Sequence, residues 1–217
     1  MKVNTQEVLR YLGYRGQAAD EDIYRTIRDC TNELMQEAAP RHIHQTVNIK
    51  RLDDSRLMVG FTCIDSRDLS AHLAGCDQAI LFAATLGARV DMCIQRCSLL
   101  SMGRAVIMQA CAASLIESWC DESEQPLAEA AARRGLYLRP RYSPGYGDFS
   151  IEHQIHLLTA LDCPRKINLT MTNSYMLTPT KSVTAVIGLT REKQSCHINR
   201  CMECTAKNCP FRKAETP

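Results

Sequence analysis

Ile43-His-Gln-Thr-Val-Asn-Ile49 and Leu57-Met-Val-Gly-Phe-Thr-Cys63, joined through Asp53-Asp54-Ser55, decide the fold class. Ile43, Val47 and Ile49 share one parity around Gln45. Leu57, Val59, Phe61 and Cys63 alternate with less apolar neighbours. Period-two alternation is the mark of a half-buried strand, and the Asp-Asp-Ser run supplies turn chemistry between the two. An antiparallel hairpin is expected. A third strand follows at Ala79-Ile-Leu-Phe-Ala-Ala84, whose unbroken apolar run implies burial on both faces.

Helical patterns surround these strands. Asn4 with Glu7 makes a capping-box start for a first short helix, which Gly13 and Gly16 interrupt. Ile23, Ile27, Cys30 and Leu34 set one buried face on a helix from about Asp20 to Glu37, ended by Pro40. A short helix is expected near Asp68–Leu73. Two more run from about Arg89 to Leu99 and from Arg104 to Cys120, the second striped by Met108, Cys111, Leu115 and Trp119. A separate helix covers Leu127 to Arg134 and stops at Gly135. Ser150 caps another, carrying Ile151, Ile155, Leu158 and Leu161. Lys166–Thr170 and Val183–Leu189 read as strands. The uneven order of elements, with the hairpin, predicts an α+β fold: a mainly antiparallel sheet flanked by helices, followed by a C-terminal cysteine-rich tail. The charged patch Arg191-Glu-Lys-Gln194 divides a body, residues 1–190, from a tail, residues 191–217.

Composition narrows the function classes. A chain of 217 residues can bury a real core. Its net charge of +2 and the lack of a basic stripe with interleaved aromatics predict no nucleic-acid partner. No apolar run approaches the ~20 residues of a membrane helix. Met1-Lys-Val-Asn-Thr-Gln-Glu7 lacks an apolar signal core, so a cytoplasmic protein without membrane association is expected. The 12 cysteines are then not a disulfide framework.

Arg141-Tyr-Ser-Pro-Gly-Tyr146, followed by Gly147-Asp148, concentrates binding chemistry. Pro144 fixes one backbone angle and Gly145 opens others, which presets a tight loop. Arg141 offers a guanidinium fork suited to a carboxylate, and Tyr146 a flat face and a hydroxyl. The loop suits a small zwitterionic or nucleoside-like ligand, or it is a structural Pro-Gly turn with a surface arginine. The tail reads Cys196-x4-Cys201-x2-Cys204-x4-Cys209-Pro210. Thiolates at two- and four-residue gaps fit zinc or an iron–sulfur cluster. The alternatives are a tail without metal, His197 in place of one thiolate, or a redox pair at Cys201 and Cys204.

Arg141-x-x-x-Gly145-Tyr146 resembles the S-adenosylmethionine-binding signature in the activation domain of cobalamin-dependent methionine synthase. Leu169-Thr-Met-Thr-Asn-Ser-Tyr-Met-Leu-Thr-Pro179, Lys181-Ser-Val-Thr184 and Gly188 resemble that family's second block, in order and at about its spacing. Ala83-Ala-Thr-Leu-Gly87 looks like the family's small standalone members. The resemblance spans roughly Gln78 to Thr190. It implies an accessory that binds S-adenosylmethionine beside a corrinoid and restores methylcobalamin from its oxidised cobalt(II) form with one electron and a methyl group. It places Arg141 on the ligand carboxylate, Gly145 at a close backbone approach and Tyr146 on the pocket wall. Glu117 is placed near the sulfonium or amine, or else it is a solvated helix carboxylate. Tyr175 falls at the corrinoid-facing surface or in the core.

Three departures stand out. Asn173 replaces a family glutamate, Ala185 replaces a glycine, and the cysteine tail stands where the family has a further C-terminal segment. No Asp-x-His-x-x-Gly motif is present, so cobalamin is expected only through a partner, a cobalamin-dependent methionine synthase or related corrinoid protein, with an electron donor. The competing expectations are a metal-binding or electron-transfer accessory that has lost S-adenosylmethionine binding, and a ligand-binding regulator without a redox role.

Overall fold

A computed structural model of the chain describes residues 1–14 and 18–192. Gly16 and the tail residues His197, Cys196, Cys201, Cys204 and Cys209 lie outside the described residues. Helix α1 (Thr5–Tyr11) starts where expected: the Asn4 side chain accepts from the N–H groups of Gln6 and Glu7. Helix α2 (Glu21–Glu37) is capped by Asp20 and buries Ile27, Cys30 and Leu34.

The hairpin is present. Strand β1 (Arg41–Arg51) pairs antiparallel with β2 (Arg56–Val59), Ile49 opposite Val59. Asp53 builds the turn by accepting from the Ser55 and Arg56 N–H groups at 3.0 and 2.8 Å. The expected second strand, however, is two. Gly60 takes φ +62°, the chain reverses, and β3 (Thr62–Asp65) pairs back on β2. Phe61 is therefore on a turn and 98% exposed, and Ile64 takes the buried position in its stead. Parity alone continues through such a turn.

Helix α3 (Arg67–His72) leads to β4 (Cys76–Thr85), which is buried on both faces as expected. Helix α4 (Ala88–Leu100) precedes α5 (Met102–Ala132), a single helix of 31 residues. The predicted break before Leu127 does not occur. Pro126 removes one helical hydrogen bond, at a cost of about 3 kcal/mol, but Leu127 and Ala131 pack against the core and carry the helix onward.

Strand β5 (Tyr137–Leu138), not foreseen, follows. A 3-10 turn (Ile151–His153) opens α6 (Gln154–Leu161). Leu157, Leu158 and Leu161 are buried there, while Ile151 and Ile155 stay largely exposed, so the buried face is shifted from the expected one. Residues read as a strand from Lys166 instead form α7 (Cys163–Ile167), begun by Pro164 at its first turn and ended by Asn168 at φ +55°. The short hairpin β6 (Thr170–Met171) and β7 (Leu177–Thr178) precedes β8 (Ser182–Thr190).

The main sheet has the order β3-β2-β1-β4-β8-β5, and each of these pairings is antiparallel. Its central strands split two cores by parity. Ile80, Phe82, Ile187 and Leu189 face α1, α2, α4 and α5 with Met108 and Leu115. Ala79, Leu81, Ala83 and Val186 face α3, α6 and α7 with Leu69, Phe149 and Leu158. The fold is α+β, a helix layer on each face of an antiparallel sheet.

Candidate functional site

The Arg141–Asp148 loop lies where β8 meets α5, and its own sequence shapes it. Tyr142 exchanges two backbone hydrogen bonds with Val186, at 3.0 and 2.9 Å, which latches the loop to the sheet. Gly145 takes φ +94° and donates to the Phe149 carbonyl at 2.7 Å, closing the turn. Gly147 takes φ +53°, and a Cβ on it would lie 2.0 Å from the Asp68 carboxylate. Only glycine fits there.

Asp148 ties the loop to α3. Its carboxylate accepts from the Ser66 hydroxyl and from the N–H groups of Arg67 and Asp68. These bonds, the Ser66 hydroxyl first, hold its pKa below the ordinary value. A depressed carboxylate stabilises the fold above its unfolded pKa, and that contribution is lost as pH falls through the folded one. Asp148→Asn should therefore lower the urea midpoint at neutral pH. The gap from wild type should close in strong acid. A gap that persists unchanged at both pH values would exclude the charge as its source.

Beside the loop opens a cleft of about 1270 Å³. Its walls come from the N-terminal stretch and α1, from the middle of α5, from Arg141 to Tyr146, and from Leu177 and Ser182–Thr184. The two sequence blocks, some thirty residues apart in the chain, thus converge on one concavity.

Arg141 lines the cleft, its side chain 19% exposed. Nη1 donates to Glu124, and Nη2 donates to Glu117 and Asp121, each at 2.9 Å. Burial opposes the guanidinium charge, but Glu124 and then Glu117 outweigh it and hold its pKa above the ordinary value. Glu124 is as buried as Arg141. Burial pushes its carboxyl above the usual range even with the guanidinium in contact. Glu117 is about half exposed and Asp121 mostly so. On another wall, that of α1, burial first and the Glu7 and Glu117 carboxylates second push the Tyr11 phenol up. Three carboxylates around one guanidinium leave a local excess of negative charge, suited to a ligand carrying both a carboxylate and a cationic centre.

Of the predicted residues, Arg141, Glu117 and Tyr146 share this cleft. Gly145 shapes the turn that presents Tyr146, which is 57% exposed. Tyr175 is not on the cleft wall. It occupies the β6–β7 turn at φ +61°, and its carbonyl accepts from Gln154, which does line the cleft. Asn173 is exposed on the same turn. Asp121 and Glu124 were missed, although Glu117, Asp121 and Glu124 follow the i, i+4, i+7 spacing of one helix face. Among the described residues, no group of three or more His, Cys, Asp or Glu has metal-holding geometry. No described helix is long and apolar enough to cross a membrane.

No protein-family model matches the sequence, and no curated protein matches it significantly. Among solved structures, the chain is similar to the crystal structure of the MetH reactivation domain bound to AdoHcy. The TM-score is 0.66 at 14% identity, over 88% of this chain and 75% of that one. At that identity the likeness is one of fold.

Proposed function

We propose that this chain binds S-adenosylmethionine in the cleft beside Arg141 and serves as a reactivation partner of a cobalamin-dependent methionine synthase or a related corrinoid methyltransferase. The observation that carries this reading is the convergence of both sequence blocks on one cleft, within a fold shared with a reactivation domain bound to AdoHcy.

The chemistry of the walls fits such a ligand. Arg141 supplies a fork for the carboxylate. Glu117 and Asp121, solvent-facing carboxyl groups, offer partners to an ammonium or sulfonium. Tyr146 presents an exposed ring at the rim, where it can cover an adenine face. When bound, S-adenosylmethionine supplies the methyl group, and the corrinoid of the partner accepts it. This chain's residues contribute position and charge. Gly147 and Asp148 keep the loop rigid. Tyr175 and Met176, on the β6–β7 turn next to Gln154, extend the rim toward a docking partner.

Calorimetry with S-adenosylhomocysteine, which keeps the amino-acid end and the nucleoside, tests the reading. Saturable one-to-one binding that is lost in Arg141→Ala is expected. No binding by the wild type would end it.

The tail cysteines, Cys196, Cys201, Cys204 and Cys209, enter the same proposal as a zinc or iron–sulfur site. An iron–sulfur cluster would pass the electron, whereas zinc has no redox chemistry and would leave that to an outside donor. Optical and electron-paramagnetic spectra of anaerobically purified protein distinguish the two. Truncation before Cys196 should leave the body folded, since β8 closes the sheet at Thr190, and should abolish the metal. With a cobalt(II) corrinoid partner, reductant and S-adenosylmethionine, equal methylcobalamin formation by truncated and intact protein would eliminate an electron-relay role.

A second reading rests on the filled fork of Arg141: a metal-binding or electron-transfer accessory that has lost S-adenosylmethionine binding. The same calorimetry separates it from the first.

A further inference from the structure

We infer that Glu124 is an internal competitor for Arg141, one that a ligand carboxylate must displace and that takes up a proton when displaced. This inference rests on the function proposed above and adds a residue that sets both affinity and its pH dependence.

Both terminal nitrogens of Arg141 are engaged, Nη1 by Glu124 and Nη2 by Glu117 and Asp121. A carboxylate ligand binds an arginine best through two parallel N–H groups. Through Nη1 and Nη2 it can do so only by evicting Glu124 from Nη1, whereas entry at the Nε–Nη2 edge would leave Glu124 in place and take up no proton, so the proton count separates the two. The three acids are not equivalent. Asp121 has 72% of its side chain exposed and Glu117 49%, so either can swing into water. Glu124 has 18% exposed and no such exit.

A buried carboxylate deprived of its counter-charge becomes neutral instead of staying ionised. Its pKa is already raised in the paired state, by burial above all. Losing the guanidinium raises it further, so ligand binding near neutral pH draws a proton onto Glu124. The proton then lets Glu124 stay buried, as a donor where it had been an acceptor.

Other charged groups bear on this site from every side. Glu117 and Asp121 share its helix. Arg139 and Arg141 come from the segment after β5, and Lys2, Glu7, Arg10 and Tyr11 from the N-terminal stretch and α1. His72 bonds the Pro140 carbonyl at 2.9 Å next to the loop. Cys120 and Glu122 lie on the helix of Glu124, and the Met1 amine pairs with Glu122 at 2.5 Å. His72 and that amine both ordinarily titrate between about pH 6 and 8, and replacement of Glu124 alone separates its proton from theirs.

The test is calorimetry of S-adenosylhomocysteine binding in buffers of different ionisation enthalpy, on wild type and Glu124→Gln. Wild type should take up protons on binding ligand near neutral pH and bind more tightly as pH falls. Glu124→Gln, which keeps the shape but cannot hold Arg141 as an ion pair, should bind about tenfold more tightly, with no proton uptake and a flat pH profile. Wild type that binds without proton uptake overturns the inference and leaves the proposed function standing, as does a Glu124→Gln profile identical to wild type. Failure of both proteins to bind removes the function and this inference together. The wild-type proton count decides the matter even if the variant does not fold.

Discussion

Arg141→Ala should unfold at markedly lower urea concentration than wild type, a loss of about 3 kcal/mol, in addition to losing ligand binding. The size follows from what is left behind. Glu124 remains with 18% of its side chain exposed and with its guanidinium partner gone. Breaking a buried pair by removing one member strands the other, which is costlier than never having built the pair. Only Glu124 contributes strongly, because Glu117 and Asp121 reach water. The stranded carboxyl has a folded pKa above its unfolded one. The fold then favours the protonated form, and its contribution falls as pH rises through the folded value. The deficit of Arg141→Ala should therefore be smaller near pH 5 than near pH 8. Arg141→Ala/Glu124→Gln should recover most of the stability and none of the binding. Arg141→Lys keeps the charge without the fork and should fall between wild type and alanine in ligand affinity, where the lost charge-assisted bonds are worth about 1.5–3 kcal/mol. Urea titrations at the two pH values, paired with calorimetry, check each statement. If the double variant is as unstable as the single one, the cost lies in lost packing and not in a stranded charge.

The elements legible in the sequence were those specified by local chemistry. Asn4 caps its helix through neighbouring N–H groups, Asp20 begins the next one as its cap, and Asp53 makes its turn from residues two and three positions on. The unbroken run of β4 announced burial on both faces, and that strand does lie inside the sheet with a core on either side. Misreadings arose where long-range packing outweighs local preference. The helix expected to stop at about Cys120 runs on through Pro126 to Ala132, because Leu127 and Ala131 are held by the core. Phe61 kept the parity of a strand and yet fell on a turn, since alternation does not register a reversal at Gly60.

The candidate site divides in the same way. Pro144 and Gly145 forecast a preset loop from backbone geometry alone, while the need for Gly147 shows only against Asp68. The partners of Arg141 were not legible, because Glu117 and Glu124 lie 24 and 17 residues away in sequence. Their face of α5 meets the loop only through the fold.

The other large effect belongs to Phe149, the residue that anchors this loop. Phe149→Ala should cost about 3–5 kcal/mol, the range for removing a fully buried ring that cannot be refilled. Phe149 has no exposed surface. Its ring lies 6.2 Å from that of Tyr142 and 5.3 Å from that of His153, between the loop and the start of α6. Its backbone closes the turn at both ends, accepting from Gly145 and donating to Tyr146. The ring therefore fixes the position at which Tyr146 faces the cleft. For a chain of this size the loss corresponds to a fall in Tm of roughly 6–20 °C. Phe61→Ala is the matched control. It deletes the same ring at a position that is 98% exposed, and its effect should stay within about 0.5 kcal/mol. Ligand affinity should fall in Phe149→Ala and hold in Phe61→Ala, because only the first ring supports the wall of the cleft. Thermal melts and calorimetry on the two variants give the comparison. If both lose stability equally, burial is not what separates them, and the anchoring role of Phe149 is wrong.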